Sequence, residues 1–129
     1  MKRIGSFIVI GGLMIFVIIV IYNNVKYNEM RDNILRNGDY SYGCIFEEFI
    51  GVKTVRDFKY KYFINHYEYS NKAAIVNMDY FENHQIGDTI IIKYLPNAPE
   101  KSIIIEEEEY KSCMGLPPEK GWEELPRCE

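Results

Sequence analysis

The sequence predicts an α+β protein in which a single N-terminal transmembrane helix and a stalk precede a small antiparallel β-sheet or barrel-like domain. Three observations support this class: an uncharged apolar run at Ile4–Tyr22, aromatic and β-branched segments after Asp39, and turn residues between those segments. The chain of 129 residues has room for one small domain beyond the membrane. The expected divisions are a transmembrane anchor at 1–22, a helical stalk or linker at 23–38, an antiparallel β domain at 39–109 and an irregular C-terminal tail at 110–129.

The run Ile4–Tyr22 is long enough to cross a bilayer as a helix. At about 1.5 Å of rise per residue it approaches the roughly 30 Å hydrocarbon core. Each Ile, Val, Leu or Phe at mid-depth favours insertion by roughly 0.3–0.6 kcal/mol. Lys2 and Arg3 precede the run as in a signal peptide or a signal anchor, but the run exceeds a usual signal-peptide core and no Ala-x-Ala site follows it. A retained single span is therefore predicted.

The cations on the two sides of the span predict its orientation. Lys2 and Arg3 form a tight cluster before the run, whereas Lys26 is the single cation in the first turn beyond Tyr22. The positive-inside rule then favours a cytoplasmic N-terminus. The β domain is accordingly expected outside the cytoplasm.

Segments with the composition of strands follow the helix stop at Asn37-Gly38. The predicted strands are Tyr40–Ile50, Phe58–Ile64, Tyr67–Ser70, Thr89–Leu95 and Ser102–Ile105, with tight turns at Asn65-His66 and at Pro96–Pro99. Ala73–Val76 either prolongs the third strand or forms a short separate piece, and Asp79–Gln85 fits a helical turn or a loop. The expected sheet has four to six strands and is curled or barrel-like.

Thr89–Leu95 has the strongest strand composition in the chain. Because side chains alternate along a strand, Ile90, Ile92 and Tyr94 are expected to face the core. Ile91 and Lys93 are then expected on a more exposed face, since an unpaired buried ammonium is costly.

The three cysteines are Cys44, Cys113 and Cys128, which match neither a dense disulfide framework nor a zinc pattern. If the domain lies outside the cytoplasm, Cys113 and Cys128 can pair and close a tail loop, while Cys44 acts as a small buried hydrophobe. If the domain is cytoplasmic, all three thiols are reduced and inert. A reactive thiol is the third alternative.

The other residues with potential chemistry predict no active site. His66 falls at the hairpin turn, where a solvated position is expected, and His84 is separated from it by a strand and a loop. The run Glu106–Glu109 lacks the turn geometry of a calcium loop and is read as a charged strand end. No catalytic residue, cofactor or metal is predicted. The net charge of −4, with the acidic excess in the second half, argues against a nucleic-acid partner.

The segment Gly87–Ser102 (GDTIIIKYLPNAPEKS) combines a Gly-Asp turn, an apolar strand that ends in Tyr, and Pro-x-x-Pro-Glu. With Gly43-Cys44-Ile45 in an earlier strand and a Tyr/Phe-rich hairpin from Phe58 to Tyr69, it resembles a family of small bacterial membrane proteins, domain of unknown function 3592. The resemblance covers roughly Tyr40–Ile105. It implies a small β domain at a membrane, and it lends no catalytic residue because the family has no established activity. Many members of that family carry a second span after the sheet, and this sequence departs from them because only an N-terminal span is predicted.

These features together predict a single-pass protein of the bacterial inner membrane. Its β domain is expected to be a non-enzymatic interaction or accessory module, with a protein partner that the sequence does not specify. Two alternatives stay open: a small envelope enzyme or redox protein that uses Cys44 or the carboxylates, and a subunit of a larger membrane complex. Polar side chains converging in a concave pocket would favour an enzyme. A flat aromatic face or an exposed sheet edge would favour an interaction module.

Overall fold

The first element of the structure is a long apolar helix. The computed structural model describes residues 2–50, 56–73 and 77–128, and the first element, α1, spans Lys2–Asn37. Large apolar side chains between Ile4 and Tyr22 are 41% to 73% exposed. Within the described ranges, α1 is the one helix long and apolar enough to cross a membrane. The chain divides into two compact units after Asp32, and the sheet belongs to the second unit.

The last turn of α1 belongs to the second unit. Ile34 has no exposed surface, and the Nζ of Lys93 donates a hydrogen bond to the carbonyl oxygen of Leu35 at 2.7 Å. The helix ends as expected at Asn37, where the N–H of Gly38 bonds the carbonyl oxygen of Ile34 at 2.8 Å. A Cβ at Gly38 would collide with the Ile34 carbonyl and lie 2.8 Å from that of Tyr94, so a larger residue does not fit. This turn is thus part of the fold and not only a spacer.

Five antiparallel strands form one sheet in the order β3-β2-β1-β4-β5. Their bounds are β1 Asp39–Ile50, β2 Arg56–Ile64, β3 Tyr67–Lys72, β4 Thr89–Leu95 and β5 Ala98–Ile104. The predicted strands are confirmed, with one difference at β5. Its pairing starts where Ala98 meets Leu95, so the turn is shorter than Pro96–Pro99. Pro99 is accommodated because β5 is the last strand in the sheet order, where a missing N–H costs little.

The sheet curls until its two outer strands approach each other. The hydroxyl groups of Tyr60 and Ser102 are 2.8 Å apart, and the Tyr62 hydroxyl donates to the carbonyl oxygen of Pro99. The amide of Asn71 in β3 also lies 3.3 Å from the Ser102 hydroxyl in β5. The result is a nearly closed barrel, as the sequence predicted. In this order β1 lies at the centre of the sheet, and β3 and β5 are the two outer strands that approach each other.

The short helix α2, Met78–Asn83, connects β3 to β4. Asn77 caps it, because its side-chain oxygen accepts the N–H of Asp79 at 3.0 Å. Tyr80 and Phe81 are buried, and the Phe81 ring lies 4.8 Å from that of Phe58. Of the two alternatives predicted for Asp79–Gln85, a helical turn or a loop, the structure has the helix, which ends at Asn83. The continuation considered for Ala73–Val76 falls mainly outside the described residues.

Inward-facing aromatic and branched side chains fill the barrel. The alternation predicted for β2 is confirmed, since each of its four inward side chains is at most 2% exposed. Members of the main core cluster are Ile45, Phe58, Tyr60, Tyr62, Ile64, Ala73, Tyr80, Phe81, Ile90, Ile92 and Tyr94. The core positions predicted in β4 are all among them.

The prediction that Ile91 and Lys93 lie on an exposed face of β4 is wrong. Ile91 has no exposed surface and Lys93 is only 9% exposed, so both faces of the strand are covered. The buried ammonium is tolerated because it donates to the Leu35 carbonyl and lies 4.6 Å from the centre of the Tyr40 ring. The contacts of Lys93 come from elements distant in sequence, which the alternation within one strand does not reveal.

Candidate functional site

The tail after Tyr110 packs on the barrel although it has little regular structure. It contains a short 3₁₀ turn at Ser112–Met114, and a disulfide joins Cys113 to Cys128 with their Cα atoms 5.8 Å apart. Trp122, the single tryptophan of the chain, is only 9% exposed. The tail is thus anchored on the barrel at Trp122, whereas Leu116 is 78% exposed.

Trp122 fills a gap in the barrel wall. Strand β1 pairs with β4 over Asp39–Cys44, whereas its pairing with β2 begins only at Cys44. The opposite edge of β1 near Tyr40 is taken by the tail instead. The N–H of Tyr40 donates to the Trp122 carbonyl at 2.7 Å, and the N–H of Trp122 donates to the Tyr40 carbonyl at 2.6 Å. The tail therefore acts as a short substitute strand.

Gly121 allows this close approach. Its φ is +74°, and an added Cβ would collide with the carbonyl oxygen of Tyr40. The Tyr94 hydroxyl donates to the carbonyl oxygen of Lys120 next to it. Burial, and then the charge of Asp39, raises the pKa of Tyr94 to about 12, so this hydroxyl stays a protonated donor at physiological pH. The barrel thus holds the tail backbone from two sides.

The hairpin between β2 and β3 provides a second attachment. Asn65 and His66 have φ values of +51° and +70°, which is the conformation of a type I′ turn. The Asn65 N–H donates to the Glu119 carbonyl at 2.9 Å, and Nε2 of His66 lies 2.7 Å from a Glu119 carboxylate oxygen. The His66 side chain is 81% exposed, as predicted for a turn residue. A side-chain contact this exposed contributes at most about 1 kcal/mol, so the backbone hydrogen bond is the firmer contact.

A cleft lies between β1, the hairpin that joins β2 to β3, and the tail, and we call it the tail cleft. Its volume is about 320 Å³, and its walls are Ser41, Tyr42, Phe63, Asn65, His66, Leu116, Pro117, Pro118 and Glu119. Phe63 and Leu116 are 58% and 78% exposed, so two large apolar side chains of this surface face solvent. The tail cleft is therefore a concave surface with an apolar rim.

Two other concavities have a more charged lining. One of about 600 Å³ lies beside the disulfide, where Glu108, Lys111, Glu124 and Arg127 line it. The other, of about 290 Å³, is lined by Tyr80, His84, Asp88 and Glu108 among others. His84 stacks on Tyr80 with ring centres 3.9 Å apart, and its Nδ1 lies 2.7 Å from the Tyr80 carbonyl oxygen. These contacts explain His84 as a packing residue.

The residues singled out from sequence do not come together as a reactive set. Cys44 is half-buried, and its thiol lies 3.7 Å from the carbonyl oxygen of Ile45, a contact that does not activate a nucleophile. In the part of the chain that the structure describes, no three His, Cys, Asp or Glu side chains are placed to hold a metal ion. Neither Glu119 nor Leu116 was predicted as a site residue, because nothing in the local pattern shows that the tail meets the hairpin.

Fold and cleft define a class: a small five-stranded barrel domain carried by an apolar N-terminal helix. The chain matches no protein-family model, and no curated protein or solved structure is significantly similar to it. The resemblance stated for Tyr40–Ile105 therefore stays a prediction.

Proposed function

We propose that this protein is a membrane-tethered interaction module of the bacterial envelope, with its barrel outside the cytoplasm and the tail cleft as its contact surface. The observation that carries the proposal is the apolar rim of the cleft, where Phe63 and Leu116 are the two large exposed side chains. Side chains of this kind on a concave surface are typical of sites that receive an apolar anchor of a partner.

The apolar helix supports the tethered part of the proposal. The exposed side chains of Ile4–Tyr22 form a continuous apolar surface whose contact with water is unfavourable, and a bilayer would cover it. Lys2 and Arg3 favour a cytoplasmic N-terminus. The disulfide between Cys113 and Cys128 fits an oxidising compartment on the other side.

Charge indicates what kind of segment would bind. Of the 19 acidic and 15 basic residues of the whole chain, 17 acidic and 11 basic residues follow Asp32. The unit that carries the cleft is therefore clearly acidic, and Glu119 stands in the cleft wall. The partner proposed here is a protein segment with one apolar side chain flanked by Lys or Arg, since complementary charge favours encounter and register.

Site-specific photo-cross-linking in native membranes tests this role. We expect a photoreactive residue at Leu116 to give one dominant adduct, located by mass spectrometry in a segment with an apolar residue and flanking basic residues. The matched control is Ile86, which is 56% exposed but not a wall of the cleft. Phe63→Asp should reduce the Leu116 adduct roughly tenfold or more, the usual effect of losing a central apolar contact. Equal adducts from Leu116 and Ile86, or an unaltered adduct in the Phe63→Asp variant, would contradict the proposal.

A further inference from the structure

We infer that the disulfide between Cys113 and Cys128 is a redox latch that decides whether the tail cleft exists. This inference rests on the proposed function for the role of the cleft, but its structural basis is independent. The backbone contacts that Glu119, Lys120 and Trp122 make with the barrel all lie inside the loop that the disulfide closes. The cleft walls Leu116–Glu119 lie in the same loop.

The disulfide is accessible to a reductant. Cys113 is exposed and Cys128 is partly exposed, and both sulfur atoms lie in the irregular tail instead of the barrel core. A dithiol protein or a small dithiol is the co-reactant that we propose. The first thiolate of the dithiol attacks one cysteine sulfur, forms a mixed disulfide with it and releases the other cysteine as a thiol. The second thiolate of the dithiol then closes its own disulfide and releases the bound cysteine as a thiol. The latch gains two electrons and two protons as two thiols, and the dithiol is oxidised to a disulfide.

The balance between docked and released tail makes this bond decisive. The attachments are a few backbone hydrogen bonds, one exposed contact between His66 and Glu119, and the burial of Trp122. The segment has no helix or strand of its own beyond Ser112–Met114. Fixing such a segment is costly in chain entropy. Closing a loop with a sequence separation of 15 residues shifts the balance toward the docked state on the order of a hundredfold.

Release of the tail changes two surfaces at once. The cleft loses the wall that contains Leu116 and Glu119. The N–H and carbonyl groups of Tyr40 also lose Trp122, so the edge of β1 becomes free to pair with another strand. The oxidised form therefore presents a cleft, and the reduced form presents a strand edge.

Trp122 allows a direct test in the full-length protein in detergent micelles, because its fluorescence reports tail docking without interference from a second tryptophan. On addition of dithiothreitol we expect a red-shifted emission and a severalfold increase in acrylamide quenching. Hydrogen exchange at the Tyr40 amide should become faster by up to about a hundredfold. The far-UV circular dichroism of the barrel should not change.

Three variants make the test specific. Cys113→Ser and Cys128→Ser should resemble the reduced wild-type protein and should not respond to the dithiol, whereas Cys44→Ser should respond like wild type. Buried Trp122 fluorescence in protein shown by mass spectrometry to carry three free thiols would overturn the latch. A normal fluorescence response without a cleft-specific cross-link at Leu116 would support the latch and count against the proposed function.

Discussion

Ile91→Asp and Ile92→Asp are both expected to prevent the barrel from folding. Each side chain has no exposed surface, and the two point to opposite faces of β4. Each change removes a buried aliphatic group and buries a carboxylate, at a cost on the order of 5 kcal/mol or more. Small domains have only about 5–15 kcal/mol of stability in total. Soluble expression and circular dichroism of the variants provide the first readout.

Alanine variants make the same comparison measurable in a folded protein. Ile91→Ala and Ile92→Ala should each lower the free energy of unfolding by about 2–5 kcal/mol. Ile86→Ala is the matched control, because Ile86 is 56% exposed and should lose less than about 1 kcal/mol. Denaturant titration followed by Trp122 fluorescence and far-UV circular dichroism gives the values. If Ile91→Ala were as mild as Ile86→Ala, the outer face of β4 would not be covered as described.

Gly121→Ala is expected to detach the tail. The residue has a φ of +74°, which costs a non-glycine residue about 1–2 kcal/mol, and its new methyl group would collide with the Tyr40 carbonyl. The pair of hydrogen bonds between Tyr40 and Trp122 and the burial of the indole are then lost. The free energy of docking should fall by roughly 3–5 kcal/mol in total.

Gly115→Ala separates the two causes. Gly115 has a φ of +71° and a ψ of −166°, a conformation that is nearly exclusive to glycine, but no atom lies within 4 Å of an added Cβ. This variant therefore shows a conformational cost alone, of about 1–3 kcal/mol. Acrylamide quenching of Trp122 compares the two variants in oxidised protein. Similar quenching in both would mean that the contact between Gly121 and β1 does not hold the tail.

Local pattern was sufficient to predict most of the barrel. Phe58, Tyr60, Tyr62 and Ile64 alternate with two lysines and Phe63 in β2, and the structure places all four in the core. The turn at Asn65-His66 and the helix end at Asn37 also follow from the conformational preferences of single residues. Such features depend on neighbours in sequence, which a single chain displays directly.

The errors arose where distant segments meet. Lys93 was expected to be exposed because a lone ammonium is costly to bury, yet the end of α1 supplies the Leu35 carbonyl. The walls of the tail cleft likewise come from β1, the hairpin and the tail, which lie far apart in sequence. Leucine is usually a core residue, and only the structure shows that Leu116 is exposed.

We propose a barrel outside the cytoplasm with an oxidised tail, and cysteine labelling in intact spheroplasts tests both parts together. The Cys44→Ser protein leaves Cys113 and Cys128 as the only thiols to label. A membrane-impermeant maleimide–polyethylene glycol should add nothing at first and should add two groups per chain after an impermeant phosphine has reduced the disulfide. The protein should stay in the carbonate-washed membrane pellet throughout. Labelling that needs no reductant and occurs only after the membrane is broken would place the barrel in the cytoplasm with free thiols, and would contradict the account.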